Sequence, residues 1–329
     1  MLKIGIVGVG HLGRFHADKF LNIPRCTLAG IYDQDQDRSR EVAAKLGVVS
    51  CADYGQLLDM ADAVDIAATT TAHYDLAKTA LQAGKHVFLE KPITSELWQA
   101  EELVSLAREK NLKLQVGHIE RFNPVTLKVE DIIKDPLFIE SHRISTFQPR
   151  GTDVPVVLDL MIHDIDLILD FVQSPVKEIH ANGVGILTPS IDIANARIEF
   201  ENSAIANVTS SRVSFKQERK IRFFQHDAYI SLDFAAKQAS VTKRSVDVLK
   251  YLPQLMSGSK DISAEQLVDV QRFDLSHPEK DALSLELESF VNAILDGTKP
   301  VVDGQAGLRA LQVAMRILEQ IHRQPKTHM

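Results

Sequence analysis

Cysteine is scarce in this chain: Cys26 and Cys51 are the two present among 329 residues. That count excludes a disulfide framework, and neither residue belongs to a metal-type cluster, so a reducing, cytoplasmic setting is expected. Positive charge is not in excess either. A formal net charge of −7 argues against wholesale attraction to nucleic acid or to an anionic membrane. No apolar run approaches the length needed to span a bilayer. The opening residues, Met1-Leu2-Lys3-Ile4-Gly5-Ile6-Val7, are too short for a signal peptide and lack its small-residue cleavage site. Internal repeats, low-complexity tracts and flexible linkers are also missing. What remains is a composition of 45% hydrophobic and 25% charged residues, ordinary for a soluble globular protein and long enough for two domains with cores of their own.

The first third alternates short apolar strands with helical segments. Strands are expected at Ile4–Val7, Leu28–Tyr32, Val64–Ala68, Val87–Leu89 and Leu112–Val116. Helices are expected from the first glycine motif to Phe20, around Glu41–Leu46, and over Tyr74–Ala83 and Ser95–Lys110. Such alternation implies parallel pairing with right-handed crossovers, hence a doubly wound α/β sheet of the Rossmann kind over residues 1–118. Beyond about Gly117 the rhythm changes. A helix over Val156–Val172 precedes closely spaced strands at Ala196–Phe200, Ala204–Ser210, Ile221–Phe224 and Tyr229–Leu232, a pattern that suits an antiparallel sheet. Tyr251–Ser276 is polar and weakly patterned and reads as a loop region with a short helix. Helices at Leu283–Leu295 and Leu308–His322 close the chain. Residues 119–329 are therefore expected to form a second, α+β domain. The basic run Arg212, Lys216, Arg219, Lys220 and Arg222 reads as a strand with a solvated face.

Gly8-Val9-Gly10-His11-Leu12-Gly13 is a G-x-G-x-x-G between a strand and a helix, and the next strand ends in Asp33 about twenty residues on. Gly8 permits the tight turn, Gly10 lets the backbone approach a pyrophosphate, and Gly13 allows close helix–strand packing. With His11 and Leu12 this loop opens a helix whose N-terminal amides suit an anion. Asp33 is placed to accept hydrogen bonds from ribose hydroxyls and to repel a 2′-phosphate. The next basic residue is Arg38, so NAD is the expected cofactor, and NADP is left open because neighbouring loops can bring in an arginine. Thr69-Thr70-Thr71-Ala72-His73 follows another strand; Thr69, Thr70 and His73 can cap the cofactor, and Thr71 can equally serve as a helix N-cap.

Glu90-Lys91-Pro92 ends the strand Val87–Leu89, at the sheet edge where the carboxyl ends of parallel strands face a bound dinucleotide. A lysine there sits where a reacting carbinol or carbonyl is expected. Within Val156–Val172, Leu158, Ile162, Ile165, Leu169 and Val172 form the expected buried stripe, flanked by Asp159, His163, Asp166 and Asp170. A carboxylate beside an imidazole favours the protonated ring and fixes its tautomer, which suits proton transfer. An exposed helix edge carrying acids has the same pattern. A metal held by Asp159, His163 and Asp166 ranks below a metal-free site, since hydride transfer from an alcohol needs no metal where a cationic group is present.

The glycine fingerprint, Glu90-Lys91-Pro92, Arg121-Phe122-Asn123-Pro124, Asp159-x-x-x-His163 and Gly297-Thr298-Lys299-Pro300-Val301-Val302-Asp303-Gly304 occur in an order that resembles the glucose–fructose oxidoreductase/inositol dehydrogenase/MocA (Gfo/Idh/MocA) family. The resemblance implies an N-terminal Rossmann domain, a C-terminal domain on a large, open, mainly antiparallel sheet, and a homodimer or homotetramer built through that sheet. It implies hydride transfer between a ring hydroxyl of a carbohydrate and nicotinamide. Carried over by position, the resemblance implies that Lys91 lies near the nicotinamide and Asp159 and His163 on a helix facing it. The mechanism it implies has His163 exchanging the hydroxyl proton while Lys91 stabilises the alkoxide, or Lys91 itself as the base. Met161 stands where many members have glycine. With Gly117-His118-Ile119-Glu120-Arg121-Phe122-Asn123-Pro124, this resembles the branch that includes UDP-N-acetylglucosamine 3-dehydrogenases. The expected substrate is then a sugar or nucleotide sugar, with His118, Arg121, Asn123 and Arg150 as substrate contacts and Arg150, Arg212 and Lys216 as candidates for a diphosphate. A cyclitol or monosaccharide dehydrogenase, or a non-catalytic NAD-binding regulator, are the alternatives.

Overall fold

The computed structural model describes residues 1–147, 154–245 and 267–323, which cluster into two compact units. The first comprises Met1–Phe122 and Lys280–Met315, the second Asn123–Glu279 and the residues from Arg316 on.

In the first unit the chain runs β1 (Leu2–Val7), α1 (His11–Phe20), β2 (Cys26–Tyr32), α2 (Gln36–Leu46), α3 (Tyr54–Met60), β3 (Ala63–Ile66), α4 (Thr70–Gln82), β4 (His86–Glu90), α5 (Leu97–Glu109) and β5 (Leu114–Gly117). The strands form one parallel sheet in the order β2-β1-β3-β4-β5. Both faces are covered, which is why β3 and the centre of β4 are buried without a break. On one face Ile4 and Ile6 pack with Ala17 and Phe20 of α1. On the other, a Cβ added at Gly5 would lie 2.8 Å from Leu57 of α3. Asp53 caps α3 by accepting the Gln56 N–H, and this short helix lay outside the sequence expectation.

The sequence division at 118/119 and the packing of the chain differ in one respect. The helix α8 (Ala282–Leu295) carries Leu287, Phe290 and Val291 into the core formed by Ile4, Ile6, Phe20 and Phe88. The Phe88 and Phe290 rings meet edge to face at 5.7 Å. A linear reading follows chain order, whereas these apolar side chains are buried against the first sheet.

The second unit is built on eight strands: β6 (Phe138–Ile144), β7 (Val176–Val184), β8 (Ile193–Phe200), β9 (Ile205–Ser211), β10 (Glu218–Phe224), β11 (Ala228–Asp233), β12 (Gln238–Arg244) and β13 (Val268–Asp274). Their order is β13-β12-β11-β10-β6-β9-β8-β7, and every pair is antiparallel except β6 with β9. The expected α/β class with a large, mainly antiparallel second sheet is thus what the chain adopts. Among the described residues the helices here are the short α6 (Pro124–Leu127) and α7 (Ile162–Val172), and a last helix α9 (Gly304–Arg323) has residues in both units.

One expectation needs correcting. Val268–Asp274, read as part of a polar loop, is the edge strand β13 paired with β12; residues 251–266 of that stretch lie outside the described residues. Its side chains are nearly all exposed, so no apolar alternation marked it. The basic run also divides. Lys220 pairs with Asp233 at 3.2 Å and Arg222 with Glu140 at 3.4 Å on the solvated face of β10, as expected, while Ile221 and Phe223 are buried. Arg212 is instead only 4% exposed. Among the described residues no helix is long and apolar enough to cross a membrane.

Candidate active site

The glycine turn joins the end of β1 to α1. Gly8 adopts φ 85°, its N–H donates to the Tyr32 carbonyl at 2.8 Å, and a Cβ on it would meet the Ala68 backbone at 2.9 Å. Only glycine accepts both the left-handed backbone and that approach. At Gly13 a Cβ would stand 1.8 Å from the Gly8 carbonyl oxygen, so this residue lets α1 press against the turn. At Gly10 a Cβ would find nothing within 4 Å. Gly10 is also the N-cap of α1 and provides no side-chain cap, so the first-turn amides are not satisfied in that way. His11 and Leu12 are exposed.

Asp33 follows β2 and is buried. Its Oδ2 accepts the Val9 N–H and its Oδ1 the Asp35 N–H, both at 2.8 Å. The Arg38 guanidinium lies 3.4 Å from the same carboxylate and also bonds Asp35. Asp33 therefore holds the glycine turn itself, and a cation stands beside it. Open space at Gly10, a helix N-terminus without a side-chain cap and a carboxylate beyond β2 fit a dinucleotide: the Gly8–Gly13 turn would hold the pyrophosphate and Asp33 the adenosine ribose.

Further along the same sheet edge, Thr69 is the exposed N-cap of α4 and Thr70 its first residue. His73 has a different place from the one expected. It is 1% exposed, with Nδ1 3.0 Å from the Pro92 carbonyl and Nε2 3.2 Å from that of Ala68. Burial pushes its pKa down against those carbonyl bonds. His73 joins the loops after β3 and β4 from beneath. Lys91 follows β4 half-buried, and its N–H donates to Glu90 Oε2 at 3.1 Å. Glu90 fits because its β5 neighbour is Gly117, where a Cβ would come within 2.9 Å of the carboxylate. His118 and Arg121 are buried, at 1% and 7% exposure. Asn123 caps α6 by accepting the Val125 N–H. Arg150 lies outside the described residues.

In the second unit, Asp159 sits in a turn of π-helix over Val157–Met161 that leads directly into α7. The wider turn shifts the buried stripe. Val156, Val157, Met161, Ile162, Ile165, Ile168 and Val172 are buried, while Leu158 and Leu169, expected in the core, are half-exposed. Asp159 and His163 are half-buried; Asp166, expected beside them, is 1% exposed. Asp164, the residue after His163, is bolted to β6. Arg143 Nε lies 3.1 Å from both Asp164 oxygens and Nη2 2.8 Å from one of them, with both side chains buried. That forked, charge-assisted pair sets the rotation of α7 about its axis.

Arg212, read as a solvated residue or a diphosphate contact, performs a similar task. Its Nε donates to Asp192 at 2.8 Å, its Nη1 to the Val154 carbonyl at 2.7 Å and its Nη2 to the Thr188 hydroxyl at 3.2 Å. It thereby anchors the segment entering the Asp159 turn. Burial opposes ionisation of Asp192, yet bonds from Thr188, Arg212 and the Ile186 and Thr188 amides hold its carboxyl well below the usual range. Lys216 is exposed. Among the described residues no group of three histidine, cysteine or acidic side chains is placed to hold a metal ion.

A parallel sheet with a glycine turn fitted to a dinucleotide, a carboxylate after β2 and a lysine after β4 define an NAD-binding Rossmann oxidoreductase. The family model for the Gfo/Idh/MocA oxidoreductases, described as an NAD-binding Rossmann fold, matches residues 2–118, and that for the family's C-terminal domain matches residues 142–231. The chain belongs to this family. It is 34% identical to the UDP-N-acetylglucosamine 3-dehydrogenase of Acidithiobacillus ferrooxidans over 96% of each chain. The solved structure of that protein superposes with a TM-score of 0.87 over 97% of each chain. Similarity extends to the myo-inositol 2-dehydrogenase of Thermotoga maritima, 25% identical over 94% of this chain and 93% of the relative. A scyllo-inositol dehydrogenase from Lactobacillus casei, solved with NAD(H) and scyllo-inositol, shares the fold at 22% identity and a TM-score of 0.78, covering 98% of this chain and 97% of its own.

Proposed function

We propose that this chain is an NAD-dependent nucleotide-sugar dehydrogenase acting on the 3-hydroxyl of UDP-N-acetylglucosamine. The observation that carries the reading is the 34% identity, over nearly the full length of both chains, to a dehydrogenase of that substrate, against 25% to an inositol dehydrogenase. Bound at the glycine turn, NAD supplies the hydride acceptor. Lys91 stabilises the negative charge that develops on the reacting oxygen, where a fixed cation acts most strongly. His163 takes the hydroxyl proton as the carbinol C–H and O–H bonds break and the carbonyl forms. Asp159, four residues before it, orients the imidazole and balances its charge. Arg143 and Arg212 hold the helix and its entry in place. Exchange of roles between Lys91 and His163 is decided by comparing the pH–rate profiles of Lys91→Ala and His163→Asn.

The reading also includes a cytoplasmic homodimer or homotetramer built through the eight-stranded sheet, which light scattering on the purified protein tests. The test of substrate is absorbance of the reduced nicotinamide with a panel of UDP-sugars, inositols and aldoses. Turnover with UDP-N-acetylglucosamine above all others is expected. Signal from inositols alone would establish the cyclitol reading, which the inositol dehydrogenase relatives favour. Silence across the panel would turn the proposal toward a cofactor-sensing regulator.

A further inference from the structure

His16 lies inside α1, 1% exposed, on no motif and outside the glycine turn. Its Nδ1 is 2.8 Å from Asp65 Oδ2 and its Nε2 is 3.3 Å from Glu90 Oε1. Ionised carboxylates only accept hydrogen bonds, so an imidazole facing one from each nitrogen must donate from both, and only the cation can do so. The other oxygen of Glu90 accepts the Lys91 N–H. Three segments of the first unit are thus tied in series: β3 through Asp65, α1 through His16, and the end of β4 through Glu90. Full burial, with the charge of Glu90, raises the Asp65 pKa, and the charge and hydrogen bond of His16 oppose that; Asp65 Oδ1 has no hydrogen-bond partner, so the ionisation of this carboxylate rests on His16.

We propose that His16 is a positioning residue for Lys91: a buried imidazolium that ties Glu90 to Asp65 and so fixes the end of β4 from which the lysine projects. The inference rests on the role given to Lys91 above. The groups facing His16 are Asp65 from β3 and, from β4, Glu90 together with the edge of the Phe88 ring, 5.8 Å between centroids. On α1 itself Lys19 is engaged with Asp281. Burial works against the charge on His16, but the charges and hydrogen bonds of Asp65 and Glu90 overcome it and raise its pKa well above the ordinary value. Burial likewise disfavours the Glu90 anion, and His16, with the Lys91 charge and amide, reverses that and holds it ionised. The sign follows: a raised histidine keeps its bonds at low and neutral pH and loses them as pH rises through its elevated value. Removing Asp65 moves that loss to lower pH.

The experiment is a pH titration of the full-length protein by NMR of the histidine ring carbons, with the His16 signal identified by its absence in His16→Gln, alongside steady-state kinetics of wild type, Asp65→Asn, Glu90→Gln and Lys91→Ala. In wild type His16 should stay protonated well above the free-histidine value of about 6.5. In Asp65→Asn its titration should fall to lower pH, and kcat should decline along that titration by about ten- to a hundredfold, with KM for NAD nearly unchanged. Glu90→Gln should lower kcat with the same unchanged KM. A neutral His16 in wild type at pH 6.5 overturns the inference, as does an Asp65→Asn kcat that stays flat while its His16 titrates. Fully active Lys91→Ala overturns the reading of Lys91 and this inference with it; inactive Lys91→Ala beside a flat Asp65→Asn profile overturns the inference alone.

Discussion

Two glycines of the fingerprint should differ in what the same substitution does to stability, while both lose cofactor affinity. At Gly13 an added Cβ would lie 1.8 Å from the Gly8 carbonyl oxygen, where ordinary C···O contact is at least about 3.3 Å, so α1 must retreat by roughly 1.5 Å. Overpacking of that kind costs about 1–3 kcal/mol, and Gly13→Ala should lose that much stability in the cofactor-free protein. The retreat also carries the first-turn amides away from the anion. Each charge-assisted bond lost is worth about 1.5–3 kcal/mol, which is roughly ten- to a hundredfold in Kd. At Gly10 the added methyl would meet no atom within 4 Å, so Gly10→Ala should change stability by no more than about 0.5 kcal/mol. On the proposed placement of the cofactor it blocks the approach of the pyrophosphate to the backbone, and should weaken NADH about tenfold or more, the equivalent of one lost charge-assisted bond. Urea unfolding without cofactor and fluorescence titration with NADH measure the two quantities separately. A Gly13→Ala protein as stable as wild type would refute the packing argument. A Gly10→Ala protein with unchanged Kd would show that the open face is not where the cofactor lies.

Lys91→Ala should reduce kcat about 10²–10³-fold, the usual loss when a fixed donor to a developing oxyanion is removed, while NADH titration gives a near wild-type Kd; full activity would remove Lys91 from the chemistry. Asp33→Ala deletes the carboxylate but leaves Arg38, so the ratio of kcat/KM for NAD over NADP should fall about tenfold or more, and an unchanged ratio would refute the ribose role. Asp192→Asn should cost about 3 kcal/mol near neutral pH, where the buried Arg212 loses its counter-charge. Because the Asp192 carboxyl is held below its ordinary value, wild type has this stability in full above about pH 4 and loses it as pH falls further. The gap between the two proteins in denaturant titrations should therefore narrow below pH 4; a constant gap would show that the ion pair is not its source.

Much of the first unit was legible in the chain itself. Ile4–Val7 of β1 and Val87–Leu89 of β4 carry no charge because both faces of a parallel sheet are covered, whereas β3 is buried throughout although it holds Asp65, and the glycine spacing marked the turn between β1 and α1. The second sheet was harder. β6 reads Phe-Ile-Glu-Ser-His-Arg-Ile, and its inward positions include Ser141 and Arg143, so its alternation of burial is not an alternation of polarity. β13 has almost no buried face to advertise. At the site, Lys91, Asp159 and His163 were chosen for their chemistry and their setting, and His73 as a cap for the cofactor; its imidazole is sealed between two carbonyls, a burial that no local signal in the loop announces.

By itself the sequence determined the elements whose signals are local: a period of two or 3.6, a glycine where φ turns positive, an aspartate just past a strand. These depend on neighbours along the chain, so they can be read before anything is packed. The tertiary structure alone decided which charges went inside. Arg143 meets Asp164 across 21 residues, Arg212 meets Asp192 across 20, and His16 meets Asp65 across 49. A buried charge is tolerable only where its partner arrives with it, and that meeting exists only once the sheets and helices have come together.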